Sequence, residues 1–189
     1  MLFRSLFGRV YIAAVILPKS TVIELDPKII KDSKKFTSKK KLMEAYQYVI
    51  DHAISYCISY EDEKTIDKMN ILQATVHGMH QSIQGLDVKP EKLLIDGNYF
   101  KPYMDIDGYI PHENVKGGDN TYMSIAAASI LAKVSRDLYI ESLCESYPEL
   151  SERYSIDSNK GYGTKKHMDA IKEYGITKWH RLSFKPCQL

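Results

Sequence analysis

Apolar runs and helical stripes alternate along the 189-residue chain. Val10 to Leu17 is a β-branched apolar run bounded by Gly8 and Pro18, which predicts a buried strand, with Thr21 to Leu25 a possible partner after a turn. A helix-like stretch follows near Lys39 to Ser59. Asn70 to Gly85 then places Ile71, Leu72, Thr75, Met79 and Ile83 on one stripe that ends at a glycine. Lys92 to Ile95 is a second short apolar run, stopping at the turn signal Asp96-Gly97-Asn98, so a carboxylate stands at the C-terminal end of a buried strand. In α/β sheets that end is where ligands bind. Residues 101–120 carry Pro, Gly and Asp without a period and predict a loop or at best a short strand. Ser124 to Ser142 is the clearest helix, with Ala126, Ala127 and Ala128 small enough for close packing on a sheet. The last helix, Lys165 to Tyr174, follows Gly161-Tyr162-Gly163-Thr164, with Thr164 as N-cap and Gly175 in the left-handed C-terminal position. No repeat or linker interrupts the pattern, which predicts a single α/β domain over residues 1–189 with helices dominating its C-terminal part.

A hydrophobic fraction of 44% with 26% charged residues, 10 Gly and 7 Pro excludes collagen-like, low-complexity and wholly disordered classes. Twenty-six Lys and Arg against 24 Asp and Glu give a net charge of only +2, so a nucleic-acid partner has to be argued from local clusters such as the lysine-rich segment Lys31 to Lys41. Cys57, Cys144 and Cys187 lack CxxC spacing and an even count, which argues against a disulfide framework or a zinc site and fits a reducing compartment. The start resembles a secretory signal superficially. Its apolar run is short, however, and is followed by Pro18 and Lys19 instead of a cleavage site, and no stretch reaches the ~20 apolar residues of a membrane span. A cytoplasmic monomer with no membrane partner is expected.

The candidate chemistry lies in carboxylates. Asp96, directly after a strand, is either a turn residue or an acid held rigidly enough to hold a cation. Asp137, four residues after Lys133 and beside Arg136, is either half of a helix-surface ion pair or a second such acid. Two carboxylates brought together repel unless a cation sits between them, and an all-oxygen site of that kind suits Mg²⁺ or Mn²⁺. His167 and His180 stand outside any nucleophile motif, and GxSxG, HExxH, P-loop and GxGxxG patterns are absent. Tyr162, between two glycines, either opens its ring to a sugar or base or plugs an edge of the core.

Taken together, Asp32-Ser33-Lys34-Lys35, Asn70-Ile71 with Gln73-Ala74-Thr75, Ile95-Asp96-Gly97-Asn98, Ser124 through Asp137, and Lys160 through Thr164 with His167, Gly175, His180-Arg181 and Ser183-Phe184 resemble ribonuclease HII, in order from about Gly8 to Pro186. The resemblance implies an RNase H-like α/β fold with a mixed central sheet flanked by helices. It implies hydrolysis of the RNA strand of RNA/DNA hybrids, cleavage beside ribonucleotides embedded in duplex DNA, and dependence on Mg²⁺ or Mn²⁺. Of the four acids that surround the metal ions in that family, Asp96 and Asp137 match the third and fourth. Tyr162 matches the tyrosine that packs on the sugar at the RNA to DNA junction, and Lys34 and Lys35 match lysines near the nucleic-acid backbone.

The family's Asp-Glu-x-Gly-Arg-Gly motif, source of the first two acids and of the loop that reads the ribose 2′-hydroxyl, is missing. Ser5-Leu6-Phe7-Gly8 aligns just after it, and the first acid of the chain is Glu24. Lys116-Gly117-Gly118-Asp119 also departs from the usual Lys-Gly-Asp. In the family fold the missing segment is the central strand, between those matching Val10 to Leu17 and Lys92 to Ile95, so unpaired backbone groups on both neighbours, an apolar gap in the core and impaired metal binding are expected. Three readings follow: an enzyme whose start is called too late, which agrees with the intact downstream motifs; a catalytically impaired or inactive nucleic-acid-binding relative; or a remnant that does not fold stably. A loop acid such as Asp105, Asp107, Glu113 or Asp119 is not expected to replace a pair fixed on a central strand.

Overall fold

In the computed structural model, which describes residues 5–188, the first apolar run forms strand β1 (Val10–Ile16). Its partner is not Thr21 to Leu25, which runs through turn and coil with Val22 and Ile23 exposed, but β2 (Ser55–Glu61). The predicted helix is correspondingly shorter: α1 (Lys39–His52) opens on the Ser38 hydroxyl, which accepts from Lys41 N, and closes at Ala53. Beyond it, Tyr56, Ile58 and Tyr60 are residue types that favour a pleated surface. Helix α2 (Glu63–Gln84) starts before the predicted stripe and breaks at Asn70, where φ is 66° and ψ 162°. Asn70 Oδ1 accepts from Gln73 N at 3.1 Å, so the predicted start at Asn70 marks a cap inside a longer element.

The chain divides into two compact units, one of Met1–Tyr11, Tyr60–Thr75 and Ser135–Leu189, the other of Ile12–Ser59 and Val76–Val134. In the second unit β3 (Leu93–Asp96) pairs in parallel with β6 (His112–Val115), Asp96 lying opposite Val115. Strand β6 falls in the segment read from sequence as a loop or at best a short strand, as does the two-residue antiparallel pair β4 (Met104–Asp105) and β5 (Gly108–Tyr109). The β1–β2 and β3–β6 pairs are separate two-stranded sheets; among the described residues no strand joins β1 to β3. One apolar core sets Leu25, Ile30, Leu42 and Val49 against Ala126, Ala127, Ile130 and Leu131, using the small alanines as predicted. Another gathers Val76, Ile83, Leu93, Ile95, Phe100 and Ile110.

The last long helix, α3 (Met123–Ser146), outruns its predicted end at Ser142. Two short helices, α4 (Glu149–Glu152) and α5 (Ile156–Asn159), precede α6 (Lys165–Tyr174). As predicted, Thr164 caps α6, its hydroxyl accepting from His167 N. Gly175 has φ 79° but ψ −171°, so the helix ends in an extended residue of positive φ and not in a left-handed turn. In the first unit Leu6, Phe7, Ile140, Leu150, Tyr154, Ile156, Ala170 and Ile171 form the core. Ser5 and Phe7 make isolated antiparallel bridges to Tyr162 and His180. Among the described residues no helix is long and apolar enough to cross a membrane.

The closest approach in this unit is at Gly161, whose φ is +80° and where a Cβ would lie 2.9 Å from Phe7 Cβ and 3.0 Å from Ser5 Oγ. Gly117 shares the positive φ, +68°, but has open space around it. Gly117→Ala is therefore expected to carry backbone strain alone, about 1 kcal/mol. Gly161→Ala adds a clash with a buried segment, for a total of about 2–4 kcal/mol. Urea unfolding of the two variants checks this; equal midpoints contradict it.

Candidate functional site

Asp96 is placed as its sequence setting predicts, on the last residue of β3 with its side chain exposed. The parallel ladder to β6 fixes its backbone, Gly97 N continues that ladder to Val115 O at 3.0 Å, and Asp96 Oδ1 accepts from Gly118 N at 3.1 Å. Lys34 belongs to a single 3₁₀ turn, Ser33–Lys35, capped by the Asp32 carboxylate accepting from Lys34 N. Lys34 Nζ donates to Asp119 Oδ2 at 2.6 Å and lies 3.6 Å from Asp32 Oδ1. Partial burial pulls the Lys34 ammonium's pKa down, but the bond to Asp119 and the fields of Asp119, Asp32 and Asp96 outweigh it and hold the pKa above its ordinary value. The Asp119 carboxyl is pushed up by burial and pulled further down by Lys34, for a net lowering. Lys34 and Asp96 thus share one electrostatic neighbourhood in the second unit, and Lys35 on the same turn is exposed as Lys34 is. The Asp119 anchor was not legible in the sequence, because an acid in an aperiodic loop carries no sign of what it faces.

The remaining loop acids are engaged by lysines as well. Lys89 Nζ lies 2.9 Å from Asp105 and 2.8 Å from Asp107, and Lys92 Nζ lies 2.6 Å from Glu113. Among the described residues no three His, Cys, Asp or Glu side chains are grouped to hold a metal ion.

Asp137 and Tyr162 fall in the first unit. Asp137 is half-buried on α3 next to Arg136, whose side chain is almost wholly buried. Arg136 Nη2 donates to Ser5 Oγ at 2.8 Å and to Phe7 O at 3.2 Å, and its Cζ lies 5.8 Å from the Tyr162 ring centroid. Burial lowers the Arg136 pKa, opposed by Tyr162 and Asp137. Arg181, also buried, donates from Nε to Gly8 O at 2.9 Å, from Nη1 to Ser5 O at 2.9 Å and from Nη2 to Arg9 O at 3.3 Å. Burial and then repulsion from Arg136 bring it down to about 10. Neither arginine stood out in the sequence as an anchor, since a single buried cation leaves no periodic trace.

The Tyr162 side chain is 37% exposed and lines a hollow of about 390 Å³ with Leu6, Gly163, Thr164, Met168 and Pro186. The flanking glycines work inward: a Cβ on Gly161 would meet Phe7 and one on Gly163 would meet Leu6. They let the loop press on residues 5–7, and the ring lies at the rim of the hollow as a consequence. The Tyr162 carbonyl accepts from Thr164 N at 2.8 Å and pairs with His167 Nδ1 at 2.9 Å. Behind it, His167 Nε2 and His180 Nε2 are 3.1 Å apart, both rings buried. Burial, and for His180 also His167, lowers both histidine pKa values, His180 to about 4.

A histidine whose folded pKa lies below its unfolded value of about 6.5 adds stability that is complete above pH 6.5 and is lost as pH falls toward the folded pKa, by up to ~1.4 kcal/mol per pH unit. The melting temperature is therefore expected to fall between pH 7 and pH 5. In His180→Gln, which has no proton to take up there, the fall is expected to be shallower; an identical slope contradicts the assignment.

The ribonuclease HII family model matches residues 5–187. Ribonuclease HII of Christiangramia forsetii is 45% identical over 180 residues, covering 95% of this chain and 84% of that one. Ribonuclease HII of Bacteroides thetaiotaomicron is 46% identical over 180 residues, covering 95% and 83%. The crystal structure of ribonuclease H2 from Pyrococcus horikoshii OT3 shares the fold with a TM-score of 0.74 at 24% identity, over 97% of this chain and 90% of that one. A strand-end acid, a helix acid and a glycine-flanked tyrosine thus stand in a sequence that matches one family nearly end to end, and the chain belongs to the ribonuclease HII family, ribonucleases H that cut RNA/DNA hybrids.

Proposed function

We propose that this single-domain, monomeric chain carries the substrate-reading part and two of the metal-binding acids of an endonuclease that hydrolyses the RNA strand of RNA/DNA hybrids and cuts at ribonucleotides embedded in duplex DNA. The observation that carries the reading is the Tyr162 loop. Its ring stands at the rim of a hollow while its main chain is fixed by Ser5, Asn159, Thr164 and His167. A partly exposed aromatic ring on an immobile backbone suits stacking on a sugar at little entropic cost. Exposed Lys35 suits contact with a backbone phosphate, which positions the duplex without reading its sequence. Lys34, tied to Asp119 and Asp32, adds positive charge from a fixed place.

Asp96 and Asp137 are the two acids the family resemblance assigns to a Mg²⁺ or Mn²⁺ site. Because no group of three ligands forms among the described residues, a second reading is favoured for these 189 residues alone: they bind the nucleic acid and do not cut it. Both readings are tested with a labelled DNA duplex containing one ribonucleotide, in Mg²⁺ or Mn²⁺. The chain is compared with a version extended by a strand ending in Asp-Glu-x-Gly-Arg-Gly. The extended chain is expected to cut, the given chain at least ~10³-fold more slowly, and Asp96→Asn to lower cleavage by the extended chain by ~10²–10³-fold. Equal rates for the two chains, undiminished by Asp96→Asn, contradict both the assignment of Asp96 and the second reading.

A further inference from the structure

The buried histidine pair has no role in the proposed chemistry, yet its hydrogen bonds lead to the functional tyrosine. Thr177 N donates to His180 Nδ1 at 2.9 Å, so that nitrogen holds a lone pair and the His180 proton sits on Nε2. His180 Nε2 faces His167 Nε2 at 3.1 Å; His180 is therefore the donor and His167 the acceptor. The His167 proton is then on Nδ1, which lies 2.9 Å from the Tyr162 carbonyl oxygen. Each nitrogen of both rings is used, and one consistent direction runs from Thr177 to Tyr162. No carboxylate pairs with either ring among the described residues. The groups packed around them are the Phe7 and Tyr154 rings, with centroids 5.2 to 6.4 Å away, and the phenol of Tyr154 is turned to Gly175 O.

From this we infer that His167 and His180 are positioning residues for nucleic-acid binding: a fixed pair of neutral tautomers holds the Tyr162 main chain, and so sets where its ring stands to meet the sugar. This rests on the reading of Tyr162 as a nucleic-acid contact. Loss of the His167 donor leaves the part-buried Tyr162 carbonyl with only its bond from Thr164 N, on a loop whose other end is pinned by Gly161 against Phe7. The loop can answer only by moving the residue between, Tyr162. A binding group misplaced by about 1 Å forfeits much of its contact energy.

The test is binding of a fluorescent duplex containing one ribonucleotide, followed by anisotropy in the presence of a chelator, so that no cleavage enters. Tyr162→Ala is expected to weaken binding roughly tenfold, the size of one lost stacking contact. His167→Leu is expected to weaken it several-fold, and the double variant no more than Tyr162→Ala alone. His167→Asn, whose amide nitrogen overlays Nδ1, should recover most of the loss. If the two effects multiply in the double variant, the histidine acts elsewhere and the inference fails while the reading of Tyr162 stands. If Tyr162→Ala binds like the unaltered chain, the reading of Tyr162 itself fails. Nitrogen chemical shifts of the imidazoles in the unaltered chain provide a check independent of any variant's folding. They should show His180 protonated on Nε2 and His167 on Nδ1, and the reverse assignment overturns the inference.

Discussion

Two buried guanidiniums stitching the extended segment Ser5 to Arg9 are the constraint on which the first unit depends. Between them Arg136 and Arg181 donate to the carbonyls of Ser5, Phe7, Gly8 and Arg9 and to the Ser5 hydroxyl. A lone extended segment without a ladder would bury unsatisfied carbonyls, each costing about 1–3 kcal/mol; the arginines supply the donors that a neighbouring strand otherwise would. In return the carbonyl dipoles solvate two charges that burial disfavours and that repel each other. Phe7 enters the core on this segment, Gly161 closes on it, and Tyr162 bridges to Ser5. The loop that presents the tyrosine thus takes its position from a rail that side chains hold.

Legibility in the sequence follows from which forces leave a local trace. Strand β3 and helix α6 were readable because apolar runs, a turn signal and a capping threonine are local facts. Strand β6, His-Glu-Asn-Val, is not apolar; it is a strand because β3 lies beside it, a tertiary cause that no window contains. Strand β2 was hidden for another reason. Only Ala53 and Ile54 separate it from α1, with no Gly or Pro to mark the change. Of the candidate residues, Asp96 and Tyr162 showed through their turn and glycine settings. The arginine rail and the histidine pair are isolated polar residues whose partners lie more than a hundred residues away or across a helix, and no spacing rule reports them.

In the second unit one feature of the sheet accounts for both its broken ladder and its shortage of acids. In the family fold a single strand lies between the counterparts of β1 and β3 and ends in the first two metal-binding acids. Among the described residues no such strand joins β1 to β3, and no group of three ligands forms. The acids nearest in sequence are already paired with lysines: Asp119 with Lys34, Glu113 with Lys92, and Asp105 and Asp107 with Lys89. Lys89 and Lys92 are exposed, so their ammoniums would be hydrated if those acids turned to a cation. For Asp119 the cost is greatest, since its carboxylate is buried and its pairing also holds the turn that carries Lys35.

The charge around Tyr162 constrains which side chains could brace it. A carboxylate at position 167 would offer only acceptors to a carbonyl, and a lysine or arginine would add a third buried cation to a unit in which Arg136 already depresses Arg181. A neutral imidazole accepts on one ring nitrogen and donates from the other without net charge. Two in series reach from Thr177 to Tyr162 with every nitrogen satisfied. Protonating His167 on Nε2 would set two donors face to face across 3.1 Å, and protonating His180 on Nδ1 would set one against Thr177 N–H at 2.9 Å, so acid that charges either ring works against the pair that holds the Tyr162 carbonyl. Stability and the placement of Tyr162 in this unit therefore share a single proton arrangement, and a change that upsets one upsets the other.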